Sequence, residues 1–70
     1  MDIGNETVET FIIKDRKYDV VGCWGSETPE NEYEFYDLYD EDGNCLNEGD
    51  PWYERPTEQD VEQYLKLYKE

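Results

Sequence analysis

The chain has 70 residues, and its twenty acidic and six basic side chains, with no histidine, give a net charge of −14. A charge of this sign and size argues against direct binding to nucleic acid or to an anionic membrane and favours a basic protein surface as the partner. Seventy residues form one domain, 1–70, and seven Tyr, two Trp and two Phe give it enough apolar surface to fold.

The first part of the chain predicts a β-hairpin. Residues 7–13 are rich in the β-branched and aromatic side chains that strands favour. The polar residues 14–17 then predict a turn, and residues 18–24 resume the strand pattern. We expect the two strands to pair with each other.

A second hairpin is predicted after the polar loop 26–31. Residues 33–40 read as a third strand with aromatic and acidic side chains on both faces. The sequence Asp-Gly-Asn at 42–44 indicates a tight turn, because glycine readily adopts positive φ. Residues 44–48 are therefore predicted to form a fourth strand that pairs with the third.

The C-terminal residues 57–69 predict a helix. Thr57 is a favourable N-cap and Asp60 stands where a capping box places its acidic partner. One apolar stripe follows at helical spacing, formed by Val61, Tyr64, Leu65 and Tyr68. The expected fold is α+β, a four-stranded antiparallel meander with one C-terminal helix packed on one face.

The residues offer little support for catalysis, and no catalytic or cofactor-binding residue is expected. Without histidine, neither the single serine, Ser26, nor the thiols of Cys23 and Cys45 have an imidazole to activate them. The two cysteines are expected to be reduced, although pairing between them stays open. No signal peptide or apolar spanning segment is visible, which predicts a cytoplasmic protein.

A metal site is not predicted either. Asp40, Asp42 and Asn44 resemble part of a calcium-binding loop. If Gly43 is the loop glycine, however, Gly49 occupies the position of the bidentate glutamate. An acidic hairpin turn that binds cations at most weakly explains these residues better.

The middle of the chain is acidic throughout. Residues 18–54 include twelve acidic side chains and no lysine or arginine. Carboxylates two residues apart on a strand are about 6.6–6.8 Å apart, close to two rises of about 3.4 Å along a DNA strand. The predicted partner-binding acids are Glu32, Glu34, Asp37, Asp40, Glu41 and Asp42. The predicted aromatic anchors are Tyr33, Tyr36, Tyr39, Trp52 and Tyr53.

In composition, this short, acidic and aromatic-rich chain resembles inhibitors borne by phages and plasmids, such as DNA mimics, anti-restriction proteins and anti-CRISPR proteins. The resemblance implies a non-enzymatic protein that blocks a basic nucleic-acid-binding site on a partner enzyme. Two alternatives stay open. The chain is an immunity or antitoxin partner of a basic toxin, or a small housekeeping domain whose acidity only confers solubility.

Overall fold

Three antiparallel strands and one helix form the protein in a computed structural model, which describes residues 3–29 and 31–69. The strands are β1 (Gly4–Ile13), β2 (Arg16–Trp24) and β3 (Phe35–Asp40), and they form one sheet in the order β1-β2-β3. The helix α1 (Glu58–Tyr68) follows. The predicted α+β class, antiparallel sheet and C-terminal helix are confirmed.

The fourth strand predicted for 44–48 is wrong. Within the described ranges, the chain after β3 forms no further strand. Its described backbone pairs with the outer edge of β3 in two isolated bridges, Cys45 with Tyr39 and Trp52 with Tyr36. Both bridges are antiparallel, so this segment follows the edge of β3 but pairs with it at two separate points and not as a continuous strand.

The side chain of Asn47 explains why this segment is not a strand. Its amide oxygen accepts the backbone N–H of Leu38 at 2.8 Å, the position that a fourth strand would fill with a carbonyl. Its Nδ2 donates to the carbonyl of Asp50 at 3.3 Å. Asn47 is 1% exposed, so a buried side chain provides the hydrogen bond that a neighbouring strand would otherwise provide at this edge of the sheet.

Two tight turns position the strands. Lys14 and Asp15 connect β1 to β2 and have φ values of 53° and 64°, as a two-residue hairpin turn with matching twist requires. After β3, Gly43 has a φ of 84°. A side chain there would strain the backbone, although its Cβ would meet no atom within 4 Å.

A bulge in β1 changes which side chains share a face. Thr7 pairs with Val21 and Glu9 pairs with Val20, so Val8 is an extra residue in the ladder. Arg55 donates to the carbonyl of Val8 at 2.6 Å and to the carboxylate of Glu9 at 2.7 Å. These contacts fasten the segment before the helix to β1.

The helix begins and packs as its sequence predicts. The Thr57 hydroxyl accepts the N–H of Asp60, and the Asp60 carboxylate accepts the N–H of Thr57, which completes a capping box. Val61 and Leu65 from α1 pack against the sheet. The buried apolar core consists of Ile13, Val20, Leu38, Val61 and Leu65. Within the described residues, no helix is long and apolar enough to cross a membrane.

Candidate partner-binding surface

The face of the sheet turned away from α1 is open. Residues paired across antiparallel strands project from the same face, and neighbours along a strand project from opposite faces. Because Val20 and Leu38 project toward the helix, the residues between them project away. We call this surface the open face; it comprises Asn5, Thr7, Thr10, Asp19, Val21, Cys23, Phe35, Asp37 and Tyr39, with Ile12 and Lys17 at its hairpin end. All of these side chains are half-buried or exposed.

The open face presents two carboxylates, Asp19 and Asp37. The hydroxyl of Thr10 donates to Asp19 Oδ1 at 2.7 Å, and the thiol of Cys23 donates to Asp37 Oδ2 at 3.7 Å. Within residues 3–29 and 31–69, neither carboxylate forms an ion pair. The register places a basic side chain, Lys17, only at the hairpin end of this face. Both carboxylates therefore retain lone pairs for a cationic group from outside.

Burial and the nearby carboxylate keep the thiol of the open face protonated. Burial, followed by the charge of Asp37, raises the pKa of Cys23 to about 11. Burial also raises the pKa of Cys45 and of Tyr39. A thiol with so high a pKa is a poor nucleophile at neutral pH, because only the thiolate attacks.

The two cysteines are free, and the register explains why they do not pair. Cys23 lies opposite Phe35, and Cys45 lies opposite Tyr39. Four residues along β3 correspond to about 13 Å of strand. A disulfide needs Cα atoms within about 7 Å, so this bond would require the sheet to rearrange.

Asp40 has a structural role in the turn after β3. Its carboxylate accepts the backbone N–H groups of Asp42 and Asn44, each at 2.9 Å. These contacts, chiefly the one from Asn44, lower the pKa of Asp40. Glu41 and Asp42 are exposed on the turn. Replacement of Asp40 would therefore disturb the turn as well as any binding.

The structure divides the predicted acidic row. Tyr39 and Glu41 line one shallow depression with Asp19, at the turn end of the open face. Glu32 and Glu34 lie near the opposite end of β3, which is six residues or about 20 Å long. The row is therefore two separate acidic groups with Asp37 between them on the open face.

The predicted anchor Tyr36 lies on the covered face, where its ring packs against that of Tyr33 at 5.7 Å. Tyr33 also contacts Trp24 at 6.1 Å. The Tyr33 ring lies directly over Gly22, where a Cβ would approach it to 2.5 Å. Tyr33 and Tyr36 thus belong to an aromatic cluster at the end of the sheet, away from the open face.

Trp52 and Tyr53 occupy different surroundings although they are adjacent. Trp52 is half-buried and packs edge-on against Tyr64 at 5.3 Å, and Tyr64 packs against Tyr68 at 4.8 Å. Tyr53 is 75% exposed. The sequence placed Tyr64 and Tyr68 on the apolar stripe of the helix, but the side chain of Tyr68 is 66% exposed.

The sequence prediction also missed Asp19 and Thr10 as parts of the surface. A two-residue turn at Lys14 and Asp15 pairs residues whose numbers sum to 29, and Thr10 with Asp19 is such a pair. Both turn residues have positive φ, and a sequence preference for that conformation at these two positions could have found the pair. Lysine at the first of these positions does not favour that conformation in the way glycine or asparagine does.

The described part of the chain contains no cluster of three or more Cys, Asp or Glu side chains placed to hold a metal ion. No protein-family model, curated protein or solved structure matches this sequence. Its function must therefore be inferred from the chemistry of these surfaces.

Proposed function

We propose that this chain is a non-enzymatic acidic binding protein that covers a basic nucleic-acid-binding site on another protein. The open face is the contact surface. The observation that supports this most is the pair of carboxylates, Asp19 and Asp37, on a half-buried strand face, neither of which forms an ion pair with a described residue. Such carboxylates gain most from a partner that brings its own basic groups.

The apolar side chains between the acids give this face the composition of an interface. Val21, Phe35 and Tyr39 are half-buried in the free protein and would become covered on binding. Aromatic side chains, tyrosine especially, provide much of the binding energy of protein interfaces. The acids would steer association and select basic partners, and the apolar groups would slow dissociation.

The charge pattern favours a partner site that normally holds phosphates. Lysine and arginine in such sites contact the nucleic-acid backbone, and carboxylates can replace the phosphates as acceptors. The segment 18–54, with twelve acids and no base, includes β3 and most of β2. The high pKa of the Cys23 thiol, about 11, agrees with a binding role instead of nucleophilic chemistry.

Affinity capture from a lysate of the source cells tests the proposal, with proteins eluted in a rising salt gradient. The test variant is Asp19→Lys with Asp37→Lys, which leaves the turn-forming Asp40 intact. The matched control is Glu54→Lys with Glu62→Lys, two exposed positions outside the open face with the same change in charge. We expect the wild type and the control to retain one nucleic-acid-binding protein that the test variant loses.

A competition measurement then addresses the nucleic-acid site itself. The captured protein is bound to a labelled nucleic acid, and the wild-type chain should displace it in proportion to its concentration. Capture of many basic proteins that both variants retain equally would contradict the proposal and favour charge that serves only solubility. Capture of a basic toxin encoded beside this chain would support an immunity role in its place.

A further inference from the structure

A groove on the other side of the molecule, between α1 and the segment before it, combines aromatic rings with acids. Its volume is about 290 Å³, close to the lower end of ligand-binding pockets. We call it the aromatic groove; its principal lining residues are Asp50, Trp52, Asp60, Tyr64 and Tyr68. No lysine or arginine of the described chain lines it.

The three rings of the groove are tilted toward one another. The planes of Trp52 and Tyr64 meet at 61°, and those of Tyr64 and Tyr68 meet at 47°. Tilted rings expose π faces in more than one direction, whereas parallel stacked rings would cover them. The Tyr64 hydroxyl donates to the carbonyl of Leu46 at 3.3 Å, which fixes the central ring.

The carboxylates make the groove negative. Asp50 has no side-chain hydrogen bond or ion pair with another described residue, and one oxygen of Asp60 accepts the N–H of Thr57 at 2.9 Å. Burial, followed by the charge of Asp50, raises the pKa of Tyr64, which agrees with a carboxylate close to the rings. A cation in the groove would meet both a carboxylate and ring faces.

We propose that the aromatic groove binds an arginine side chain of a partner polypeptide. A guanidinium is planar and stacks on aromatic rings while its N–H groups bond a carboxylate, whereas the compact ammonium of lysine holds its hydration shell more strongly. The groove has room for one such side chain. This site is separate from the open face and does not require the open face to bind anything.

An NMR titration at low salt tests the proposal with two blocked tripeptides, acetyl-Gly-Arg-Gly-amide and acetyl-Gly-Lys-Gly-amide. The two tryptophans, Trp52 and Trp24, give separate indole N–H signals, and the second lies outside the groove. We expect the arginine peptide to shift the first signal saturably, with an affinity at least about threefold above that of the lysine peptide. Equal binding of both peptides, or equal shifts of both indoles, would overturn the proposal.

Matched variants locate the binding. Tyr68→Ala should weaken the arginine peptide about fivefold, whereas Tyr53→Ala, an exposed tyrosine outside the groove, should not. Asp50→Asn should weaken it more than Asp42→Asn, which removes the same charge from a residue that does not line the groove. Equal effects within each pair would contradict a specific site. No variant alters the open face, so a failure here leaves the proposed function standing.

Discussion

The two faces of the sheet differ in what they do. The face toward α1 contributes Val20 and Leu38, both fully buried, to the core. The open face alternates half-buried apolar side chains with Asp19 and Asp37. One face of the same three strands therefore supplies stability, and the other keeps carboxylates and two aromatic rings partly accessible. In a chain this small, one face of the sheet stays accessible to a partner because no described segment covers it.

Two adjacent valines test this difference most strongly. Val20 is fully buried toward the helix, and Val21 is half-buried on the open face. Val20→Ala should lower the free energy of unfolding by about 2–3 kcal/mol, because it removes two methyl groups and leaves a cavity. Val21→Ala should lower it by less than about 1 kcal/mol. Urea unfolding followed by tryptophan fluorescence measures both, and equal losses would contradict the division between the faces.

Asn47 tests whether a side chain replaces the missing strand. Asn47→Ala leaves the N–H of Leu38 buried without its acceptor, so the free energy of unfolding should fall by about 2 kcal/mol. The control Asn44→Ala removes an exposed contact with Asp40 and should cost less than about 0.5 kcal/mol. If the two variants unfold at the same urea concentration, the proposed role of Asn47 is incorrect.

Neutralising the open face should stabilise the fold. Asp19→Asn with Asp37→Asn reduces repulsion in a chain of net charge −14, and asparagine can still accept the neighbouring hydrogen bonds. We expect a melting temperature higher by a few degrees at about 0.01 M salt and a smaller gain at about 0.15 M, where screening is stronger. The wild type itself should melt higher at the second salt concentration. A lower melting temperature for the variant would show that these acids serve the fold.

The smallest expected effect concerns the thiol of the open face. Cys23 has a pKa of about 11 in the folded protein, above its ordinary value of 9.0. Below pH 9 the thiol is protonated in both states, whereas between pH 9 and 11 the unfolded state loses its proton first. The contribution of Cys23 to stability should therefore fall as the pH rises through this range.

Alkylation with iodoacetamide, followed by mass spectrometry, measures the same property. Cys23 in the folded protein should react far more slowly at pH 8 than in urea-unfolded protein, and its rate should rise with pH toward 11. Under mild oxidation, Cys23 and Cys45 should remain unbridged. A rapid reaction at pH 8, or an intramolecular disulfide, would contradict the geometry of β3 and its neighbours.

Local sequence signals predicted most of the fold. The helix start at Thr57 and the apolar positions Val61 and Leu65 followed from capping and helical spacing, and both agree with the structure. The fourth strand failed because the pattern of 44–48 does not show that the side chain of Asn47, and not the backbone, would pair with β3.

The candidate site was harder to predict because it depends on register. Strand alternation alone places Asp37 and Tyr39 on one face, but Asp19 joins them only through the pairing of β2 with β3. The sequence predicted that Asp40 binds a partner, because its hydrogen bonds with backbone N–H groups become visible only in the folded turn. Sequence spacing thus located the acidic side chains, but it could not show which of them hold the fold together and which remain available to a partner.

A binding measurement paired with a stability measurement tests the central claim, that the open face binds a basic surface and is not needed for folding. The captured partner is titrated by calorimetry with the wild type, with Asp19→Lys/Asp37→Lys and with the control Glu54→Lys/Glu62→Lys, and each chain is also melted. We predict that the open-face variant loses at least about 100-fold in affinity, as removal of two interfacial charge pairs can produce, with a melting temperature close to that of the control. Equal affinity of the two variants would contradict the claim.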